Sequence, residues 1–263
     1  MNPRFDLARL LVPLGLMALA LLLLIALPRP AAAQSTGGAI LIWPVDPVIE
    51  ADQRAAALWL ENPGKAPTTL QVRIYAWAQD GEKNGYREQD QILGTPPIVT
   101  IAPGEKQLIR LTRTIATPPD TEAAYRVVVD EIPVAKAAGE AGAAVSFRMR
   151  YSIPLFAYGQ GLPSPQAAAK AKAPSARTPA LTWRMVEDAE GRFLEIRNRG
   201  DIHARLTDVA FGPGQADPGK GLFGYVLPGA TMRWPVASGT NVAGPLVASI
   251  NGASPAPIER RTD

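Results

Sequence analysis

The chain has 263 residues, a formal net charge of +3, a single histidine and no cysteine. Disulfides and thiolate metal sites are therefore excluded, and one histidine leaves little basis for a catalytic relay or a transition-metal site. Acidic and basic residues are interspersed, without the polybasic stripe that marks a nucleic-acid surface, so we predict no nucleic-acid partner.

The first 33 residues have the three-part layout of a secretory signal peptide. Arg4 and Arg9 precede an apolar run over 10–27, and three alanines at 31–33 follow it. Small residues suit a signal peptidase, so we predict cleavage after Ala33 and export of the mature chain. The alternative is an uncleaved membrane anchor, because the run approaches the length that spans a bilayer. Prolines within and after the run favour cleavage.

From residue 40 onward, short apolar runs alternate with clusters of Pro, Gly, Asn and Asp, which is typical of an all-β sandwich. We predict an N-terminal immunoglobulin-like domain over 34–160, an Ala/Pro/Lys-rich linker or loop over 161–179, and a second β-sandwich domain over 180–263. The predicted strands are Ala39–Val45, Ala55–Asn62, Thr68–Trp77, Lys106–Thr112, Ala123–Ile132 and Val145–Phe156, then Thr182–Val186, Phe193–Asn198, Ala204–Phe211, Gly224–Val226, Thr231–Val236 and Leu246–Ile250. The tail from Ala253 to Asp263 is predicted to be frayed.

The strand Val145–Phe156 is about twice the usual length of five or six residues. Its large apolar side chains alternate with polar ones, so they share one face of an extended strand. They are Val145, Phe147, Met149, Tyr151, Ile153 and Leu155. A long apolar edge strand aggregates unless something covers it. Two interpretations follow: all six side chains face their own core, or three or four of them bind a partner by strand addition.

Several segments, in this order, resemble the PapD-like periplasmic pilus chaperones, including the archaic branch associated with spore-coat-U-type pili. They are Leu58–Gly64, Pro103–Leu111, Tyr125–Pro133, Gly224–Ala230 and Arg233–Pro235. The resemblance implies two immunoglobulin-like domains set at an angle. It also implies that Val145–Leu155 completes a pilus subunit that lacks a strand, and that the subunit then passes to an outer-membrane usher. No catalytic activity, cofactor or metal is expected, and self-association of the free protein stays open.

The resemblance further implies a basic pair, an Arg and a Lys, that binds the terminal carboxylate of the subunit. The matching positions here hold Asp46 and Pro154, so the usual anchor is absent or shifted. Other guanidinium groups are candidates, because they bind carboxylates in a bidentate manner. These candidates are Arg110, Arg113, Arg148 and Arg150. An interdomain ion pair is implied as well; Glu131 matches its acidic member, whereas Tyr158 stands in place of the arginine.

Two other functions stay open on the sequence: a structural pilus subunit or adhesin, and a carbohydrate-binding β-sandwich with exposed tryptophans. The segment Gly214–Lys220 has the glycine and lysine spacing of a phosphate-binding loop, but Gly221 replaces the Ser or Thr and a predicted strand follows. We therefore predict no nucleotide binding. His203, the one histidine, is assigned a structural or surface role.

Overall fold

This computed structural model describes residues 39–132, 148–171, 177–212 and 219–262. They contain seventeen strands and one short helix, joined by turns and loops. The elements are β1 (Leu41–Trp43), β2 (Val48–Ile49), β3 (Ala55–Glu61), β4 (Thr68–Asp80), β5 (Lys83–Arg87), β6 (Ile92–Thr95), β7 (Ile98–Ile101), β8 (Lys106–Arg113), β9 (Glu122–Ile132), β10 (Arg150–Tyr158), α1 (Pro165–Lys170), β11 (Leu181–Asp188), β12 (Gly191–Asn198), β13 (Ala204–Phe211), β14 (Gly219–Val226), β15 (Thr231–Pro235), β16 (Leu246–Ile250) and β17 (Ala256–Arg260). The predicted signal peptide over 1–33, and Val145 and Phe147 of the predicted donor segment, lie outside the described residues.

Strands β1 to β10 form a sandwich of two sheets. One sheet has the order β1-β3-β8-β6, and the other has the order β2-β10-β9-β4-β5 with β7 paired to β4. Alternate side chains of β3 and β8 point inward, so Leu60 and Ile109 are fully buried in one core with Val127 and Val129 of β9. The period of two in the sequence is therefore the packing pattern, and burial of these apolar side chains stabilises the sandwich.

The second domain is a seven-stranded arrangement with the order β14-β13-β16-β17-β11-β12-β15. Its core contains Trp183, Leu194, Ile196, Leu206 and Phe211, all buried. The same cluster continues into the first domain, since Trp77, Phe156 and Tyr158 belong to it. The fold is thus all-β with two immunoglobulin-like domains, as predicted, and apolar packing is continuous across their boundary.

A buried asparagine supports a turn in each domain. Asn62 donates through Nδ2 to two backbone carbonyls, one in the following turn and one in β7, and its Oδ1 accepts the N–H of Gly64 at 2.9 Å. Asn198 makes the same three kinds of contact, with Gly200 as the donor to its Oδ1 at 2.9 Å. Because a buried amide left unpaired is costly, each of these side chains ties its turn to a neighbouring strand.

The prediction of a frayed tail over Ala253–Asp263 is wrong. Residues Ala256–Arg260 form β17, which lies between β16 and β11 and pairs with both. Ile258 is buried, and its carbonyl accepts a hydrogen bond from Trp183 Nε1 at 3.1 Å. The segment has a single buried apolar side chain, so its sequence carries too little alternation to indicate a strand.

Candidate functional site

Strand β10 has two halves with different surroundings. Ile153 and Leu155 lie in the core of the first sandwich, where Leu155 is completely buried. Tyr151 is half-buried, and its hydroxyl accepts the N–H of Ile40 at 2.9 Å. Met149, just before the strand begins, is 44% exposed. The predicted donor face therefore runs from solvent into the domain's own core.

Among the described residues, one edge of β10 has no strand partner along most of its length. On one side β9 pairs with all of β10, from Arg150 to Tyr158. On the other side β2 pairs with Phe156 and Ala157, and no other described strand extends that pairing. The backbone groups of residues 150–155 that point away from β9 are thus available for strand addition along this edge, except at Pro154, which has no N–H.

A cleft of about 560 Å³ lies along this free edge. Its walls come from the segment around β1, from the first half of β10, and from β13 and β14 of the second domain. Leu41, Val45 and Leu222 line the cleft and are 50%, 65% and 56% exposed. Large apolar side chains gathered at such exposure are typical of a binding surface.

Arg126 of β9 stands at the wall of the cleft, opposite Pro154 in the pairing of β9 with β10. Its Cζ lies 3.8 Å from the ring centroid of Trp77 and 5.3 Å from that of Tyr225. Burial lowers the pKa of Arg126, and the nearby Tyr86 and Tyr225 partly offset this effect. Its Nε is buried and donates to no partner within the described ranges. Because Arg126 lines the cleft, its guanidinium suits an anionic ligand that enters there.

Other charged groups contribute to the cleft as well. Arg205 of β13 lines it and adds a second positive charge. Asp46 also lines it and supplies one carboxylate, which accepts a hydrogen bond from Gln166 at 3.4 Å. The cleft therefore has apolar walls with a cationic bias, which fits an extended segment that ends in a carboxylate.

The four arginines predicted as carboxylate anchors lie in different places. Arg110 is on the outward face of β8, in the sheet that does not contain β10. Arg113 donates to the carbonyl oxygens of Ala51, Gln53 and Tyr158 at 2.7–3.0 Å. Arg148 is exposed just before β10. Arg150 lines the cleft and forms an ion pair with Asp130. The sequence interpretation did not include Arg126.

Asp130 connects three strands of the sheet that contains the free edge. Its carboxylate accepts hydrogen bonds from Arg73 of β4 and from Arg150 of β10, each at 2.5 Å. Burial by itself would raise the pKa of Asp130, but the hydrogen bonds from Arg150 and Arg73 outweigh it and hold that pKa below its usual range. The first residue of β10 is thereby tied to its neighbours by charge.

Glu122 and His203 form a buried polar contact between the two domains. The Glu122 carboxylate accepts the backbone N–H of His203 at 3.1 Å and lies 2.8 Å from Nδ1 of its ring, which stacks on Phe156. Tyr158 is buried beside this pair, and burial together with the charge of Glu122 raises the pKa of Tyr158. Glu131, the expected acidic member, lies toward the other end of β9, so Glu122 has the interdomain role.

The structure offers no support for metal or phosphate chemistry in the part of the chain that it describes. No group of three or more His, Asp or Glu there is placed to hold a metal ion. Of the segment Gly214–Lys220, the structure describes only Gly219 and Lys220, and these begin β14, which is a strand and not the helix whose N-terminus would bind phosphate. Within the same described ranges, no helix has both the length and the apolar character needed to cross a membrane.

Residues 44–163 match the family of pili and flagellar-assembly chaperones through its PapD N-terminal domain. Among solved structures, the chain is similar to the CsuC–CsuE chaperone–tip adhesion subunit pre-assembly complex from archaic chaperone-usher Csu pili of Acinetobacter baumannii. The two are 34% identical over 86% of this chain and 100% of that chain, with a TM-score of 0.71.

Two more distant structures share the fold. One is the E. coli chaperone DraB, 17% identical over 85% of this chain and 97% of that chain, with a TM-score of 0.57. The other is the Salmonella enterica SafA pilin in complex with the SafB chaperone, 18% identical over 84% of this chain and 94% of that chain, with a TM-score of 0.56. The comparison with curated proteins gives no match. The sequence identity to the archaic Csu structure extends over most of the chain, and the N-terminal domain matches the family. The chain therefore belongs to the PapD-like family of pilus-assembly chaperones.

Proposed function

We propose that the protein is a periplasmic chaperone, without enzymatic activity, that binds pilus subunits by donating a strand and delivers them to an outer-membrane usher. The free edge of β10 beside an apolar cleft carries this proposal. The similar structures of a chaperone with a tip adhesion subunit and of a chaperone with a pilin support pilus subunits as the cargo. The predicted signal peptide, cleaved after Ala33, supports the periplasmic location.

The proposed donor segment runs from Val145 to Leu155. Val145 and Phe147 lie outside the described residues; Met149 is exposed and free to contact the subunit, whereas Ile153 and Leu155 fill the chaperone's own core. Full burial of a large apolar side chain is worth ~1.5–3 kcal/mol, so three or four of them contribute ~5–12 kcal/mol before the costs of ordering and association. Backbone hydrogen bonds along the free edge set the register of the added strand.

Arg126 is the proposed anchor for the terminal carboxylate of the subunit. It lies opposite Pro154, where the resemblance implies a lysine, so a cation on the neighbouring strand reaches the same part of the cleft. Because it lines the cleft, its guanidinium can meet a carboxylate that enters there. Arg110, Arg113, Arg148 and Arg150 stay as alternative anchors, although Arg113 already donates to backbone carbonyls and Arg150 to a carboxylate.

Co-expression with the pilus subunits encoded beside its gene tests strand donation. Met149→Asp places a charge in the proposed interface and should lower the yield of a one-to-one complex about tenfold or more, because an unpaired buried carboxylate is costly. Leu93→Asp is the matched control, since Leu93 is 51% exposed and lies in the other sheet. Circular dichroism reports whether each variant is folded. A complex that survives both Met149→Asp and Phe147→Asp would overturn donation through this face.

A further inference from the structure

The side chain of Gln79, at the end of β4, joins the first domain to the second. Its Nε2 donates to the carbonyl oxygen of Tyr225 at 2.9 Å, and its Oε1 accepts the N–H of Leu227 at 2.8 Å. The amide thus pairs with the backbone on both sides of Val226, much as a neighbouring strand would. These two bonds hold the backbone of Tyr225 in place relative to β4.

A second set of contacts connects Gln79 to Trp77. Asn84 Oδ1 accepts hydrogen bonds from Trp77 Nε1 at 2.8 Å and from Gln79 Nε2 at 3.1 Å. The rings of Trp77 and Tyr225 meet edge to face with their centroids 5.5 Å apart. Gln79 therefore bonds to Tyr225 directly and is connected to Trp77 through Asn84.

These two rings flank the guanidinium of Arg126. Contact with aromatic faces restricts the rotamers of an arginine and leaves its charge intact. A side chain restricted in this way loses less conformational entropy when it binds a carboxylate. The two rings come from different domains, so their alignment depends on the contacts at the domain boundary.

We propose that Gln79 is a positioning residue for carboxylate recognition: it aligns Tyr225 of the second domain with Trp77 of the first, so that Arg126 is held ready for the terminal carboxylate of a subunit. This inference rests on the proposed function of Arg126. It couples the anchor to the domain boundary, so that subunit binding and the domain contact stabilise each other.

Peptide binding separates carboxylate recognition from strand addition. The probe is a synthetic peptide with the sequence of a subunit's C-terminal strand, prepared as the free acid and as the C-terminal amide. The unmodified chaperone should prefer the acid by ~10-fold or more, which is the value of a charge-assisted hydrogen bond. Gln79→Ala should reduce this preference by ~3-fold or more, the range for residues that act through neighbours, while amide binding changes little.

Two further variants sharpen the test. Gln79→Met keeps the size of the side chain and adds no charge but removes the hydrogen bonds to Tyr225 and Leu227, so it should reduce the acid preference as Gln79→Ala does. Glu82→Gln is the matched control, because it removes the 2.8 Å ion pair with Arg233 across the same boundary without touching either ring. It should leave the acid preference unchanged.

The results of this experiment distinguish the positioning role of Gln79 from the proposed anchoring of the carboxylate by Arg126. An undiminished acid preference in Gln79→Ala, or an equal loss of acid and amide binding, would overturn the positioning role alone. Equal affinity for acid and amide in the unmodified protein would overturn the anchor at Arg126 and this inference with it, and strand donation would still be judged by co-expression. If Gln79→Ala fails to fold, Asn84→Ala and Gln79→Met provide the same test.

Discussion

Pro154 of β10 and Arg126 of β9 face each other in the antiparallel register of the two strands. A proline at this place brings neither a charge nor an N–H to the cleft. Arg126 brings both, from the adjacent strand. A lysine at 154 would put two cations directly opposite each other, which is unfavourable in a sheet. The uncharged proline avoids this repulsion with Arg126.

Replacement of Arg126 should weaken subunit binding. Arg126→Ala removes the proposed charge-assisted hydrogen bonds, so we expect the dissociation constant of the chaperone–subunit complex to rise roughly 10–100-fold. Competition between tagged and untagged chaperone for one subunit measures this change. Arg110→Ala is the matched control, since Arg110 lies on the outward face of the other sheet. A larger effect of Arg110→Ala or Arg148→Ala would return the anchor to those residues.

The two halves of β10 should respond differently to truncation in the free protein. Leu155→Ala opens a cavity in a fully buried site, so the free energy of unfolding should fall by ~2–5 kcal/mol. Met149→Ala removes an exposed side chain and should change it by about 0.5 kcal/mol or less. Urea denaturation measures both values. Similar losses from the two variants would mean that the whole segment serves the chaperone's own core.

The apolar alternation of this segment is visible in the sequence, but its division between packing in the chaperone's own core and contact with the subunit is not. Alternation places Met149 and Leu155 on one face of an extended strand, and both interpretations of that face were open. The division arises because the opposite sheet covers Ile153 and Leu155, whereas Met149 precedes the strand. Such a division depends on where the second sheet ends, which is tertiary information.

Arg126 and several short strands show where local pattern is insufficient. Arg126 lies in the run Tyr125-Arg126-Val127-Val128-Val129, where a charge among valines on a buried strand is the one available signal. Its pairing with Pro154 and its two aromatic neighbours come from residues far apart in the sequence. β2 and β6 have two and four residues, too few for a periodic pattern to stand out.

The contribution of Asp130 to the free energy of unfolding should depend on pH, in a direction set by its lowered pKa. Its pKa in the folded protein is below the usual value of 3.8, so the stabilisation is fully present above that value and is lost as the pH falls through the lowered pKa. Asp130→Asn should therefore cost about 1 kcal/mol at neutral pH, a figure limited by the exposure of Arg73 and Arg150.

Chemical denaturation at a series of pH values tests this expectation. The difference between the unmodified protein and Asp130→Asn should be constant from neutral pH down to about pH 4 and should shrink below it. Asp52→Asn, at an exposed carboxylate of the same domain, is the control. A difference that grows as the pH falls would contradict the assignment of Asp130 as an ionised bridge.

Strand β17 should be required for folding of the second domain. Deletion of residues 256–263 removes a strand that lies between two others, so β16 and β11 each lose a hydrogen-bonded neighbour. Trp183, which is 2% exposed, also loses the carbonyl of Ile258 that accepts its Nε1–H. A buried donor without a partner costs ~1–3 kcal/mol, and the lost ladder adds to that cost. Because domains of this size are stable by only ~5–15 kcal/mol, we expect insoluble or partly unfolded protein. Deletion of residues 262 and 263 alone leaves the strand complete and should preserve the thermal transition; equal stability of the two truncated chains would show that β17 contributes little.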